Sequence, residues 1–345
     1  MFLFLIGLTL AVFKTTGDAA ESKPREMLKL RLGLGSTPAP PLPNSVLWLA
    51  KDLGFYAREG LDVELIELRG TPTVITAMRT GDMDVGNIST SDVVKLTASH
   101  TLPMKAIHSP DARLYFLIAA RDQLKSVADL KGKTFAIARS GSVDHSLSMS
   151  VIKTLGVNPQ DLKLVAIGSP STRAQALVGG RVDATSVSLG TWVSIQKEKG
   201  VKVLLDAERY FNAAPIVSKV NAVTPKVLES KAEHLRRLTA AVVKASRHFA
   251  EHQQAWVDAM AKRRADVARE DLNNLWKSFR TAWAVNGSMN LDLYAKSADF
   301  LYQTEDFKDV PKITVNDWAS TRILDSVLKE VSVYDKFDEP GRAVR

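Results

Sequence analysis

From residue 28 onward the chain switches repeatedly between two patterns: short runs of alternating apolar and polar residues, and stretches of helical period. Residues 28–34 (LKLRLGL) and 61–68 (LDVELIEL) alternate as strands do. Between them, 46–58 (VLWLAKDLGFYAR) predicts a helix, with Asn44 or Ser45 as its cap. Gly70-Thr71-Pro72-Thr73 opens a helix through Met78, 84–88 predicts a short strand, Ser89-Thr90-Ser91-Asp92 starts another helix, and 104–108 is a further strand. The pattern then repeats. Strands are predicted at 114–120, 134–138, 162–167, 184–187 and 201–205, with helices running from Ser140 to Leu155 and over 172–178 and 191–198. Strands alternating with helices predict an α/β fold of largely parallel sheets, here in two blocks, 28–110 and 114–205. From 225 to 284 the period is almost entirely helical.

Most strands end in a loop rich in Ser, Thr, Gly or Pro that starts the next helix. Open α/β sheets bind ligands at these carboxyl ends, where helix N-termini present unpaired backbone N–H groups. The first such loop, 35–43, holds Pro38, Pro40, Pro41 and Pro43, so it is stiff and has little conformational entropy to lose.

Residues 2–13 form an apolar run too short to span a bilayer, which needs about 20 residues. The run matches the core of a secretory signal, with small residues at Gly17, Ala19 and Ala20 for cleavage, although no Lys or Arg precedes it. A buried strand or helix is the competing reading. Removal of 1–19 and export to the periplasm are expected. The chain has no cysteine, which excludes disulfide frameworks, thiolate zinc sites, cysteine nucleophiles and a lipid anchor on a leading cysteine. The net charge of +8 favours anionic partners. The basic excess in the helical stretch reads as a solvated face, since a nucleic-acid arm would show a more one-signed cluster with interleaved aromatics or glycines.

Several motifs fail on their context. Gly33-Leu34-Gly35 lacks the third glycine of a dinucleotide fingerprint and runs into proline, and Lys131-Gly132-Lys133-Thr134 precedes a strand rather than a helix. His248-Phe249-Ala250-Glu251-His252 places two histidines on one helix face, as a zinc chelate needs, but the surrounding stripe of Leu238, Val242, Ala245, Phe249 and Trp256 is that of a plain amphipathic helix with surface histidines. No metal or cofactor is expected. Asp144-His145-Ser146 holds triad residue types without a nucleophile elbow. Ser140-Gly141-Ser142 before a helix serves either as a cradle for a polar ligand or as a simple cap.

Four segments together resemble the nitrate/sulfonate/taurine-type substrate-binding proteins of ABC importers. They are Trp48 to Glu64 (WLAKDLGFYAREGLDVE), Thr80 to Gly86 (TGDMDVG), Ala128 to Ile137 (ADLKGKTFAI) and Val178 to Ala184 (VGGRVDA). The resemblance runs over about 28–330. It implies a type II periplasmic-binding-protein fold: lobe I from 27–113 and 212–331, lobe II from 114–211, two crossing segments between them, and a tail at 332–345 expected to be mobile. It also implies a ligand cleft lined by Thr37, Ser89, Thr90, Ser142, Val143, Asp144, His145, Gly190 and Thr191, with Trp192 near the last wall. Two departures bear on the ligand. Leu189-Gly190-Thr191 stands where the family often has a bulky or acidic residue followed by proline, and Asp144 would repel a strongly anionic guest.

The expected function is capture of a small organic molecule, sulfonate-, nitrate- or taurine-like or else aromatic or pyrimidine-like. Delivery would be to an ABC permease by hinge closure of a monomer. Two alternatives stay open: an enzyme of the related thiamine-pyrimidine type with His145 as base, against which the absence of cysteine counts, and a sensory protein that presents its ligand to a receptor.

Overall fold

The computed structural model describes residues 27–68, 70–140 and 142–336. The expected signal segment, Gly141 and residues 337–345 of the expected tail lie outside the described residues.

Among the described residues, ten strands form two five-stranded sheets. The first holds β1 (Leu28–Leu34), β2 (Leu61–Glu67), β3 (Val85–Ser89), β4 (Lys105–His108) and β10 (Lys219–Val223), in the order β2-β1-β3-β10-β4. The second holds β5 (Phe116–Arg121), β6 (Thr134–Ile137), β7 (Lys163–Ala166), β8 (Ala184–Ser188) and β9 (Val201–Leu205), in the order β7-β6-β8-β5-β9. β1 pairs in parallel with β2 and β3, and β6 with β7 and β8, as strands joined by helices should. The expectation of largely parallel sheets needs one correction in each sheet. β10 runs antiparallel to both β3 and β4, and β5 antiparallel to both β8 and β9.

The reason is the route of the chain. It enters the second sheet through β5 and returns to the first through β10, so the connections 109–115 and 206–218 cross between the sheets side by side. Ser109 ties the two crossings together. Its Oγ lies 2.7 Å from the carbonyl oxygen of Asp111 and 2.8 Å from that of Lys219.

Three helices depart from the prediction. The helix expected over 46–58 is two, Val46–Asp52 and Phe55–Arg58, because Gly54 takes a φ of 72° that ends the first. Within the stretch of helical period, 225–284, the chain breaks at His252 between the helices Ala232–Glu251 and Gln253–Arg263. The helix expected over 191–198 is Leu189–Val193, starting two residues earlier because Ser188 caps it. Neither Asn44 nor Ser45 caps the first helix: Ser45 Oγ instead accepts from Trp256 Nε1 at 2.9 Å, and Asn44 turns toward β3.

Behind the proline loop sits an aromatic cluster. Trp256 and Trp283 each meet Phe279 edge-on, at 5.1 Å and 5.7 Å between centroids, and Tyr115 on the first crossing donates to the Ala282 carbonyl at 2.8 Å. Burying side chains of this size is worth about 1.5–3 kcal/mol each, and here it anchors one crossing segment against the C-terminal helices. The tail expected to be mobile from 332 is held in its described part: Arg247 Nη2 donates to the Ser332 carbonyl at 2.7 Å, Tyr334 N donates to Asn286 Oδ1 at 2.8 Å, and Lys336 pairs with Glu251.

Candidate functional site

A serine caps the helix that follows each of β3, β6 and β8. Ser89, Ser142 and Ser188 each accept a hydrogen bond from the backbone N–H three residues on, at Asp92, His145 and Thr191. These loops, the proline loop and the two crossings meet at the carboxyl ends of the strands, as open α/β sheets lead one to expect.

The proline loop, the two crossings with the start of β10, and the end of β8 enclose a cavity of about 150 Å³. The loop after β1 contributes Ser36, Pro40, Leu42 and Asn44. The crossings contribute Asp111, Arg113, Ser218 and Lys219, and Ser188 contributes the end of β8. A cavity of this size holds a molecule about as large as benzene.

None of the nine residues expected at the site lines this cavity. Ser89 stands opposite Lys219 in the sheet register, and the Thr90 N–H donates to the Ser218 carbonyl at 3.0 Å. Thr90 Oγ1 is buried without a hydrogen-bond partner among the described residues. Thr191 lies behind Ser188, with its N–H 3.2 Å and its hydroxyl 3.1 Å from Ser188 Oγ. A methyl group on Gly190 would sit 3.8 Å from Pro41 Cδ and 3.9 Å from Leu42 Cδ1, so the loop after β8 faces the proline loop of the other sheet. Thr37 is exposed beside Ser36. Val143 packs on the hydrophobic cluster of the first sheet, which includes Ile88, Val94 and Trp318. Beside it Arg139 makes a bidentate bond to Asp306, at 2.9 Å and 3.0 Å, joining the loop after β6 to the C-terminal region. Ser142, Asp144 and His145 share the start of that helix.

Asp144 does not stand as a bare charge. Its carboxylate lies 3.5 Å from Arg173 Nη2 and accepts from the Ala138 N–H at 3.2 Å and from Ser142 Oγ at 2.7 Å. Arg173 is almost wholly buried and is held by Thr185 Oγ1 and the carbonyls of Gly168 and Ser186. The repulsion of an anion expected from Asp144 is therefore offset by its partner, which the sequence did not reveal.

The charges that face the cavity are on the crossings. Among the described residues, the side chains of Arg113 and Lys219 make no hydrogen bond and no ion pair. Arg113 Nε is buried without a partner, and its guanidinium lies 5.6 Å from the Phe211 ring centre. Burial lowers the Lys219 ammonium pKa, against the opposing pull of Asp111 and Asp92. Burial pushes the Asp111 carboxyl up to about 7, with Lys219 and the Ser109 hydroxyl resisting. Two cations face one carboxyl of reduced acidity, so the cavity carries an excess of positive charge.

Behind Asn44, which lines the cavity, runs a buried polar chain. Asn44 Nδ2 donates to Asn87 Oδ1 at 3.4 Å, and Asn87 Nδ2 donates to Asn221 Oδ1 at 2.9 Å. Asn221 Nδ2 lies 2.7 Å from His108 Nε2, and His108 Nδ1 lies 3.1 Å from Thr239 Oγ1. Burial pushes the His108 imidazole down to about 3, so it is neutral.

A larger cavity of about 320 Å³ lies between the helices Leu189–Val193 and Arg269–Ser278, with Trp192 in its wall. The charged groups in its lining are all carboxylates, Asp206, Glu208 and Asp271, which do not suit an anion. Asp271 holds Lys197 at 3.1 Å and Gln196 at 2.9 Å, and Asp206 caps the helix Ala207–Ala213. The smaller cavity, with its unengaged cations at the strand ends, is the better candidate. His248 and His252 stack at 4.6 Å between ring centres, but Glu251 between them is taken by Tyr334 and Lys336, and no group of three metal-binding side chains occurs among the described residues.

Comparison with known proteins agrees with this architecture. Residues 44–255 match the family described as NMT1/THI5 like. A candidate binding protein of Brucella abortus (strain 2308) is 24% identical over 218 residues, 63% of this chain and 67% of that one. The periplasmic aliphatic sulphonate binding protein SsuA from Escherichia coli superposes with a TM-score of 0.65 at 19% identity, covering 84% of this chain and 95% of that one. The periplasmic nitrate-binding protein NrtA from Synechocystis PCC 6803 gives 0.66 at 15% identity, covering 92% and 93%. The resemblance stated from the four segments and the periplasmic-binding-protein fold it implied are borne out.

Proposed function

This chain belongs to the NMT1/THI5-like family, and from that premise we propose that it is an extracytoplasmic solute-binding protein of an ABC importer. It captures a small acid anion between two lobes and hands it to a permease. Lobe I comprises 27–113 and 212–331, lobe II comprises 114–211, and residues 1–19 direct the chain to the periplasm. The observation that carries the ligand class is the pair Arg113 and Lys219, two cations without hydrogen-bond or ion-pair partners in a cavity between the sheets. Holding such charges out of water is costly unless an anion joins them. The expected contact loops at Thr37, Ser89–Thr90, 142–145 and Gly190–Thr191 frame the cleft and close on it.

No chemistry is assigned. A catalytic His145 would need an orienting carboxylate, and its neighbour Asp144 is committed to Arg173 and to the backbone. Sulfonates and nitrate, named for the two structural relatives, are ligands of first choice. The test is calorimetric titration with alkanesulfonates, nitrate, aromatic carboxylates and neutral pyrimidines. Acids binding at one site, with Arg113→Met weakening them, supports the reading. Tight binding of the neutral compounds alone contradicts it.

A further inference from the structure

We propose that Asn44 determines specificity: it presents a fixed hydrogen-bond acceptor to the bound solute, so the ligand is an acid that also carries an N–H or O–H donor. The inference rests on the reading of the cavity as the solute site and narrows the class of solute.

The argument starts at the far end of the polar chain. His108 is fully buried, and so are Asn87, Asn221 and Thr239. A neutral imidazole has one N–H and one bare nitrogen, so its two neighbours must play opposite roles. Asn221 points its amide Nδ2 at His108 Nε2, which makes Nε2 the acceptor and leaves the proton on Nδ1, facing the Thr239 hydroxyl. The carbonyl of Asn221 is then free to accept from Asn87, whose own carbonyl accepts from Asn44. Each amide spends its N–H on the next carbonyl. Turning any single one over would set two carbonyls or two N–H groups against each other, so the chain has one direction from end to end.

Its last atom is Asn44 Oδ1. Asn44 lines the cavity, is 5% exposed, and its Oδ1 has no hydrogen-bond partner. A buried acceptor without a donor is costly, and a solute N–H or O–H removes that cost on binding. An acid without such a group leaves the acceptor orphaned and buried more deeply. This difference discriminates between solutes of one shape, and it is independent of the attraction that Arg113 and Lys219 exert on the acid group.

The experiment compares matched acids by calorimetry on the intact chain: pyrrole-2-carboxylate against thiophene-2-carboxylate, and 2-aminoethanesulfonate against propane-1-sulfonate. The donor-bearing member of at least one pair is expected to bind tenfold to a hundredfold more tightly, on the order of one buried hydrogen bond, with Asn44→Leu erasing the ratio and sparing the donor-free acid. Equal affinities within both pairs, or a ratio that Asn44→Leu leaves intact, overturns the role of Asn44 while the acid-binding reading stands. Binding by none of the four acids overturns both. A second readout needs no variant and no ligand. Nitrogen–proton correlation spectra of the wild-type histidines are expected to show His108 neutral, with its proton on Nδ1. A proton on Nε2 reverses the chain, makes Asn44 a donor toward the cavity, and overturns the proposal.

Discussion

Replacing Lys219 with methionine separates a cation kept for a ligand from one kept for stability. The ammonium of Lys219 has no ion-pair partner among the described residues, and burial already opposes its charge. Methionine keeps most of the apolar stem and removes the charge that must be desolvated. Stability in urea is therefore expected to stay within about 1 kcal/mol of the parent or to rise, as when a buried charge is exchanged for an apolar side chain of similar volume. Binding should respond in the opposite direction. A hydrogen bond to a charged group contributes about 1.5–3 kcal/mol, which is roughly tenfold to 150-fold in Kd. The assay is a paired measurement, calorimetric titration with the tightest-binding acid and urea unfolding at the same pH. A Kd unchanged within about twofold refutes the reasoning, and so does a loss of stability above about 2 kcal/mol, since a structural ion pair would lose that much.

Asp111 should make binding depend on pH. Its carboxyl is pushed up to about 7 by burial, in a setting that includes Lys219 and Ser109, with Arg113 and Tyr115 close by on the same crossing. Protonation removes the only negative charge on the cavity wall, so affinity for an acid is expected to rise as pH falls from 8 to 6, and Asp111→Asn should flatten that profile. The same raised value means that the contribution of Asp111 to stability is fully present below about pH 4 and is lost as pH rises through about 7, which urea unfolding of the parent and of Asp111→Asn across that window will show. Asp144→Ala leaves Arg173 buried with hydrogen bonds but no counter-charge, and a loss of about 1–3 kcal/mol is expected in urea unfolding. Asp306→Asn removes the exposed ion pair with Arg139 between the loop after β6 and the C-terminal region, and an effect below about 1 kcal/mol on stability is expected, with a small increase in the radius of gyration seen by scattering.

The loops at strand ends were legible because each is a local pattern: an alternating run, then a serine or threonine, then a helix. Ser89 and Ser142 cap as their spacing suggested. The groups that face the cavity follow from no local pattern. Ser109 and Lys219 are 110 residues apart, and they meet only because β10 returns antiparallel beside β3 and β4. Asp111 and Arg113 fall in the gap between the two α/β blocks, where periodicity says nothing; charged residues at such a crossing were the available signal. The chain of Asn44, Asn87, Asn221 and His108 draws on four separate segments and needs the sheet order to be seen. Arg173, the partner that offsets Asp144, was signalled only as the lone charge in the helix Pro170–Val178. The break at Gly54 was readable from its glycine, whereas the break at His252 has no signal in residue type.

A crystal structure of the chain with its tightest-binding acid tests the central claim most directly. The acid oxygens are expected within about 3 Å of both the Arg113 guanidinium and the Lys219 ammonium, with the guest enclosed by the proline loop and the loop after β8. A guest seated in the larger cavity beside Trp192, or one in the expected cavity whose acid group points away from both cations, contradicts it.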